Sequence, residues 1–188
     1  MLARLIISYG REGYLKKLVS FFCRAKHWQV FVLVWGAYIV GGVGIVNNPQ
    51  RTPLYSEVAL FLFVLFFAGW LWSIGTFLSS IAEPALRLNI HFFRFAIIFA
   101  GAYLPLTLRF HLSPKPLIGV LMLPLLLFAF FCWIYTYYFV SKSLVAVEKN
   151  RAVTRKDYGL TMFMLWFGFF GVWEIQPRIN RLYAANHV

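Results

Sequence analysis

The stretch VALFLFVLFFAGWLWSIGTFLSSI, residues 58–81, runs for twenty-four positions without a charged side chain, and Glu83-Pro84 closes it. A helix needs about 20 predominantly apolar residues to cross the hydrocarbon core of a bilayer. This stretch alone is long enough to span. Working outward, Trp28 to Val46 forms a second candidate span, ended by the polar turn Asn47-Asn48-Pro49-Gln50. Leu117 to Val140 forms another, and its end carries Trp133, Tyr135, Tyr137 and Tyr138, the aromatic belt of a membrane interface. Between them, Phe95 to Leu108 is an apolar core too short to cross by itself. Arg94 and Arg109 bracket it and can snorkel outward, extending the usable length from Ile90 to Phe110.

A fifth apolar stretch, Leu160 to Trp173, has fourteen residues before Glu174. That length suits an interfacial, re-entrant or bundle-packed helix better than a span. Pro177 is expected to stop any continuing helix. The expected fold class is all-α: an integral membrane helical bundle of four transmembrane helices, with an N-terminal amphipathic helix and a short C-terminal interfacial or re-entrant helix. The chain divides into a basic amphipathic arm (1–27), the four-helix bundle (28–140), a basic cytoplasmic loop (141–159) expected to extend the fourth helix for a turn or two before breaking, and a short apolar helix with a polar tail (160–188).

Composition agrees with this layout. The 188 residues are 61% hydrophobic and 13% charged, with 21 Phe, 10 Tyr and 7 Trp. Soluble domains average about half apolar and a quarter charged. Lys and Arg outnumber Asp and Glu by 18 to 6, giving a net charge of +12. The distribution of that charge sets an orientation. With the N-terminus inside, Arg4, Arg11, Lys16, Lys17, Arg24, Lys26, Arg87, Arg94, Lys142, Lys149, Arg151, Arg155 and Lys156 are cytoplasmic, and only Arg51, Arg109 and Lys115 lie opposite. Arg178 and Arg181 join the inside if the fifth segment does not cross. The positive-inside rule therefore predicts both termini in the cytoplasm. Excess Lys and Arg on that side faces anionic lipid, so the charge is read as a topology signal and no nucleic-acid partner is expected.

The arm before the first span repeats apolar residues at Leu15, Leu18, Val19 and Phe22, one helical face, with Lys16, Lys17, Ser20 and Arg24 opposite. Such a helix lies in the membrane interface, and Lys16, Lys17 and Arg24 are the expected contacts to anionic lipid headgroups. No cleavable signal peptide is read at the N-terminus, because Leu5-Ile6-Ile7 is too short an apolar run. Small residues four apart occur at Ala37 and Gly41, Gly69 and Ser73, Gly75 and Ser79, and Ala96 and Ala100. They allow helices to approach closely, within the bundle in preference to between copies. Pro105 and Pro124 lie inside spans and are expected to kink them.

Catalytic patterns are absent. Glu12, Glu57, Glu83, Glu148, Asp157 and Glu174 all lie away from span centres, which argues against a proton- or sodium-coupled transporter. The histidines, His27, His91, His111 and His187, are far apart and lack metal-ligand spacing. Cys23 and Cys132 are read as inert packed thiols. No cofactor is expected. The densest polar group is Glu174, Gln176, Arg178, Asn180 and Arg181, which suits either a structural cap where the helix emerges or a site for an anion or lipid headgroup.

The last thirty residues carry a resemblance. Asp157-Tyr158, the stretch Phe167-Gly168-Phe169-Phe170-Gly171-Val172-Trp173, and Ile175-Gln176-Pro177-Arg178-Ile179-Asn180 resemble the tail of an uncharacterised family of small bacterial polytopic membrane proteins. These have about four spans and a G-[IV]-W-x-I-Q-P-R-I-N-like ending. Glu174 stands where that pattern has an apolar residue. The resemblance implies a bacterial inner-membrane location and a shared structural tail, and no activity. The expected function is that of a non-enzymatic membrane protein, an accessory or assembly subunit or a small homo-oligomer. A channel, pore or transporter is the alternative, and a membrane-embedded lipid enzyme the third. Expected partners are the bilayer, anionic headgroups and other membrane subunits or further copies.

Overall fold

A computed structural model describes the backbone of residues 2–48, 52–111 and 116–186, and side chains at 13–48, 52–103 and 123–186. Among the described residues every regular element is helical. They are α1 (Leu2–Arg24), α2 (His27–Asn47), α3 (Leu54–Ile81), α4 (Ile90–His111), α5 (Pro116–Lys149), α6 (Arg155–Trp166) and α7 (Gly168–Asn186), with a single 3-10 turn at Pro84–Leu86. The class is all-α. Three helices are long and apolar enough to cross a membrane: α2, α3, and α5 over Leu123–Lys149. The described apolar part of α4, Ile90–Tyr103, is shorter than a span.

Local chemistry sets the helix boundaries. Gln29 reaches back to accept the Lys26 N–H at 2.8 Å and starts α2. Glu83 precedes a proline and is held extended (φ −58°, ψ 144°), so α3 ends just before it. Asn89 caps α4 by accepting the backbone N–H groups of His91 and Phe92 at 3.0 and 3.2 Å. Asn150, at φ 46°, takes the left-handed conformation that terminates α5. Thr154 and Asp157 then form a reciprocal cap that opens α6.

Successive helices pack antiparallel, as their contacts show. Phe63 meets Trp35 and Tyr38 across α2 and α3. Phe93 on α4 stacks on Phe139 of α5 at 4.2 Å, while Phe99 meets Phe128 further along. The centre is filled by Trp70, Leu71, Ile74, Phe93 and Phe139, all fully buried. Two glycines make this closeness possible. A Cβ on Gly44 would sit 1.8 Å from Ser56 Oγ, and one on Gly75 would sit 2.4 Å from the Phe93 ring. Gly41, Gly75, Ala96 and Ala100, four of the small residues read in the sequence, thus pack inside the chain.

Two expectations need correction and one is sharpened. The fourth apolar helix extends past Val140, as expected, and runs to Lys149, because Val140, Leu144, Val145 and Ala146 are buried against neighbouring helices. Residues 150–154 then connect it to the next helix. Pro177 does not stop a helix: it lies inside α7, held between buried Ile175, Gln176 and Ile179. The fifth apolar stretch is likewise not one helix. It breaks at Phe167 into α6 and α7, which fold back on each other. Gly171 permits the tight corner, since a Cβ there would lie 2.7 Å from the Met164 carbonyl oxygen. Tyr158 meets Tyr138 and Trp166 meets Phe130, so α6 runs antiparallel along α5. Phe169 meets Trp35 and Trp173 meets His27, so α7 returns along α2.

Candidate functional site

The polar tail residues are split by helical geometry. On α7, Val172, Ile175, Gln176, Ile179 and Tyr183 share one buried face at helical spacing. Gln176 is completely buried and joins three helices. Its Oε1 accepts the Trp70 indole N–H at 2.7 Å. Its Nε2 faces the Phe22 and Ala25 carbonyl oxygens at 2.7 and 2.9 Å and Asn180 Oδ1 at 2.9 Å. An amide nitrogen has two protons, so these three acceptors share them. Asn180 Nδ2 also donates to the Ala25 carbonyl at 3.1 Å. Phe22 and Ala25 lie at the C-terminal end of α1, where helix carbonyls lack intrahelical partners. Gln176 and Asn180 therefore cap α1 from a helix some 150 residues away in sequence.

Arg178 faces the other way. Its Nε donates to Glu148 Oε1 at 2.8 Å and its Nη2 donates to Glu148 Oε2, a two-pronged pair joining α7 to α5. Its Nη1 donates to the Thr161 hydroxyl of α6 at 3.3 Å and lies 4.0 Å from Glu174. The Glu148 hydrogen bonds hold the guanidinium above its ordinary pKa. Glu174 and Arg181 are exposed, and Glu174 has only the distant Arg178 contact. The five tail residues do not converge on one pocket. Two form the α1 cap, one forms a salt bridge, and two face outward.

The basic residues are arranged differently. Lys16, Lys17 and Arg24 line one open hollow of about 840 Å³ between α1 and α2, floored by Phe21, Trp28 and Leu33. The three expected headgroup contacts therefore share one surface, with Arg24 also lying 5.6 Å over the Tyr183 ring. The apolar face of α1 meets the bundle: Phe22 is buried while Leu15 and Leu18 edge a groove beside α3 and α4. Arg94 is set over the Trp72 ring at 5.5 Å, with a buried Nε that has no hydrogen-bond partner. The side chain of Arg109 lies outside the described residues.

Outside the bundle, Asp157 gathers Lys149, Arg151 at 2.9 Å, and the Thr154 N–H and hydroxyl, both at 2.9 Å. The Lys149 hydrogen bond, with those from Thr154 and Arg151, holds its carboxyl well below the usual range. Among the described residues no three His, Cys, Asp or Glu side chains are grouped to hold a metal. Cys23 and Cys132 are buried and free, and burial pushes the Cys23 thiol up to about 12, which keeps it unreactive.

Sequence reasoning missed the partners of the tail, Trp70, Glu148 and Thr161, because nothing local links them to it. It also passed over a legible signal, Thr154-x-x-Asp157, whose spacing is that of a capping box. The molecule is, by fold, a helical bundle with three helices suited to a membrane. No protein-family model, curated protein or solved structure matches the chain.

Proposed function

We propose that the chain is a non-enzymatic integral protein of the bacterial inner membrane, with four spans and both termini cytoplasmic. In this reading it serves as an accessory or assembly subunit of a larger membrane complex, or as a small homo-oligomer. One observation carries the reading: the described buried polar side chains that bridge helices bond one another. Gln176, Asn180 and Trp70 fix α1, α3 and α7, while Arg178, Glu148 and Thr161 fix α5, α6 and α7. None of these groups lines the described cavities. Wide apolar faces remain outside instead, including Val32, Ile39 and Val43 on α2 and Leu127, Phe130 and Phe131 on α5. Such faces suit lipid and the helices of partner subunits.

Two features support the orientation. The Gln176 and Tyr183 contacts bring the ends of α1 and α7 together, and the Arg178 pair adds the end of α5. The segments richest in Lys and Arg thus gather at one end of the bundle, as the positive-inside rule requires of a cytoplasmic face. The α6–α7 hairpin enters from that end and returns to it, which is the re-entrant form of the C-terminal segment. The G-[IV]-W-x-I-Q-P-R-I-N-like ending is then the shared element that builds the α1 cap.

The test is reconstitution in nanodiscs with measurement of oligomeric state and co-purifying membrane proteins. A defined small oligomer, or stoichiometric membrane partners, is expected. Ion or solute flux above that of empty vesicles would instead establish the channel reading. Asn186→Cys is expected to react with impermeant thiol reagents only from the cytoplasmic side, against low background because both native cysteines are buried.

A further inference from the structure

An apolar groove of about 400 Å³ runs between α1, α3 and α4. Leu15 and Leu18 form one lip, Leu65 and Trp72 line the α3 wall, and Ile98 and Gly101 line the α4 wall. At one end the lining changes character. Arg94 continues the Ile97, Ile98, Gly101 face of α4 by one turn and lies over Trp72, itself a groove residue. Thr76 continues the α3 wall one turn beyond Trp72. Arg94 Nε and Thr76 Oγ1 are both buried and both lack a hydrogen-bond partner. Two unsatisfied polar groups one turn beyond the residues that line an otherwise apolar groove call for an occupant with a polar head and an apolar tail.

We propose that this groove holds one anionic phospholipid of the cytoplasmic leaflet, its acyl chain along α3 and its phosphate on Arg94 and Thr76. The inference rests on the membrane reading above and adds a specific lipid site to it. The wall is long enough for an acyl chain. From Thr76 back to Phe61 it covers fifteen helical steps, about 22 Å at 1.5 Å per residue. That exceeds the about 15 Å of hydrocarbon in one leaflet, half of the ~30 Å core. The charge fits as well. A phosphate diester accepts from the guanidinium fork and from a hydroxyl. The positive end of the α4 dipole lies within two turns of Arg94, favouring a net anionic headgroup over one carrying a quaternary ammonium. This site is separate from the Lys16, Lys17, Arg24 hollow, which opens on the α2 side of α1.

The experiment compares protein reconstituted in vesicles of dioleoyl phosphatidylglycerol mixed equally with dioleoyl phosphatidylcholine, then released in mild detergent for native mass spectrometry. One retained phosphatidylglycerol per chain is expected, favoured about tenfold over phosphatidylcholine, whose phosphate makes the same hydrogen bonds but whose quaternary ammonium is repelled by Arg94 and the positive end of α4. Arg94→Gln is expected to remove the preference, Arg94→Lys to weaken it, and Gly101→Leu to remove the retained lipid by filling the groove. A Cβ at Gly101 makes only ordinary contacts, 3.8 Å from Ala68, so that variant decides the matter if Arg94→Gln does not fold. Lys16→Gln with Lys17→Gln is expected to leave retention unchanged. Equal retention of both lipids, retention indifferent to Arg94→Gln and Gly101→Leu, or retention lost with the lysine pair overturns the site while leaving the membrane reading intact. Failure of the wild-type chain to enter vesicles at all overturns that reading and the site with it.

Discussion

Replacing Gln176 with Leu is the most informative single perturbation of this bundle. Leu nearly fills the same volume but removes the acceptor of the Trp70 N–H and the donor to the Phe22 carbonyl. The Ala25 carbonyl keeps its bond from Asn180 at 3.1 Å and Asn180 Oδ1, which also loses a donor, is only half-buried, so the fully enclosed groups left orphaned are the Trp70 N–H and the Phe22 carbonyl. Leaving a buried donor or acceptor unsatisfied costs about 1–3 kcal/mol. The loss is therefore roughly 2–6 kcal/mol, less a small gain from the added apolar surface. Net side-chain hydrogen bonds between membrane helices average only about 0.6 kcal/mol. The larger figure applies here because Gln176 and Trp70 are both fully enclosed. A double-mutant cycle separates the two accounts. Trp70→Phe removes the indole donor, so in the Gln176→Leu background it no longer leaves a Gln acceptor unpaired, and Gln176→Leu no longer leaves an indole unpaired. The double variant is expected to be more stable than the sum of the singles by at least about 1 kcal/mol, as for other residues in contact. Reversible unfolding in mixed micelles, followed by far-UV circular dichroism, measures each corner. Additivity within about 0.5 kcal/mol would falsify the claim that these two residues form one buried unit.

Further outcomes follow from the same geometry. Arg178→Lys keeps the charge but loses the fork onto Glu148. It is expected to destabilise the α6–α7 hairpin by about 1–3 kcal/mol, with faster proteolysis near residues 150–154, and a Glu148→Gln variant is expected to match it. Asp157 has a depressed folded-state pKa, so its contribution is present above the ordinary carboxylate value of about 3.9 and is lost as pH falls through the folded value. Protection of residues 150–158 against hydrogen exchange, relative to the intrinsic rate at each pH, is expected to be constant from pH 8 to 5, to fall below about pH 4, and to lose that fall in Asp157→Asn. Gly75→Ala forces a Cβ to within 2.4 Å of a Phe93 ring that is itself stacked on Phe139, and is expected to cost about 1–3 kcal/mol. Gly36→Ala, with nothing within 4 Å, is expected to gain up to about 1 kcal/mol in the same mixed-micelle unfolding measurement.

The parts of the fold that were legible are those where one physical term dominates. Residues 58–81 are apolar over more than a bilayer's thickness, and the helix found there, Leu54–Ile81, differs only by starting one turn earlier. The Trp28 to Val46 span is likewise matched within a residue at each end by His27–Asn47. Legibility failed where tertiary packing overrides local pattern. The fourth helix reads as extending only a turn or two past Ser141, yet it runs to Lys149: Ser141 and Ser143 are buried and Ser141 donates to the Tyr137 carbonyl at 2.6 Å, satisfying its hydroxyl within α5. Pro177 reads as a stop, yet packing on either side holds the helix through it.

The tail shows why its role could not be read from spacing alone. Glu174, Gln176, Arg178, Asn180 and Arg181 look like one cluster in sequence, but a helix turns 100° per residue and sends them to three faces. Gln176 and Asn180, four apart, share the inward face and meet α1. Arg178 points toward Glu148, thirty residues back. The usable local signal was the pair Gly168 and Gly171 amid aromatics. A Cβ at Gly168 would lie 3.1 Å from Trp35 and one at Gly171 would collide with the Met164 carbonyl, so only glycine lets α7 fold back beside α6 and α2. That corner is what brings Gln176 to the end of α1. A substitution as small as Gly171→Ala is therefore expected to disturb a hydrogen-bonded junction more than one helical turn away, and a Trp70 environment unchanged in that variant, by indole N–H chemical shift, would refute the link between corner and cap.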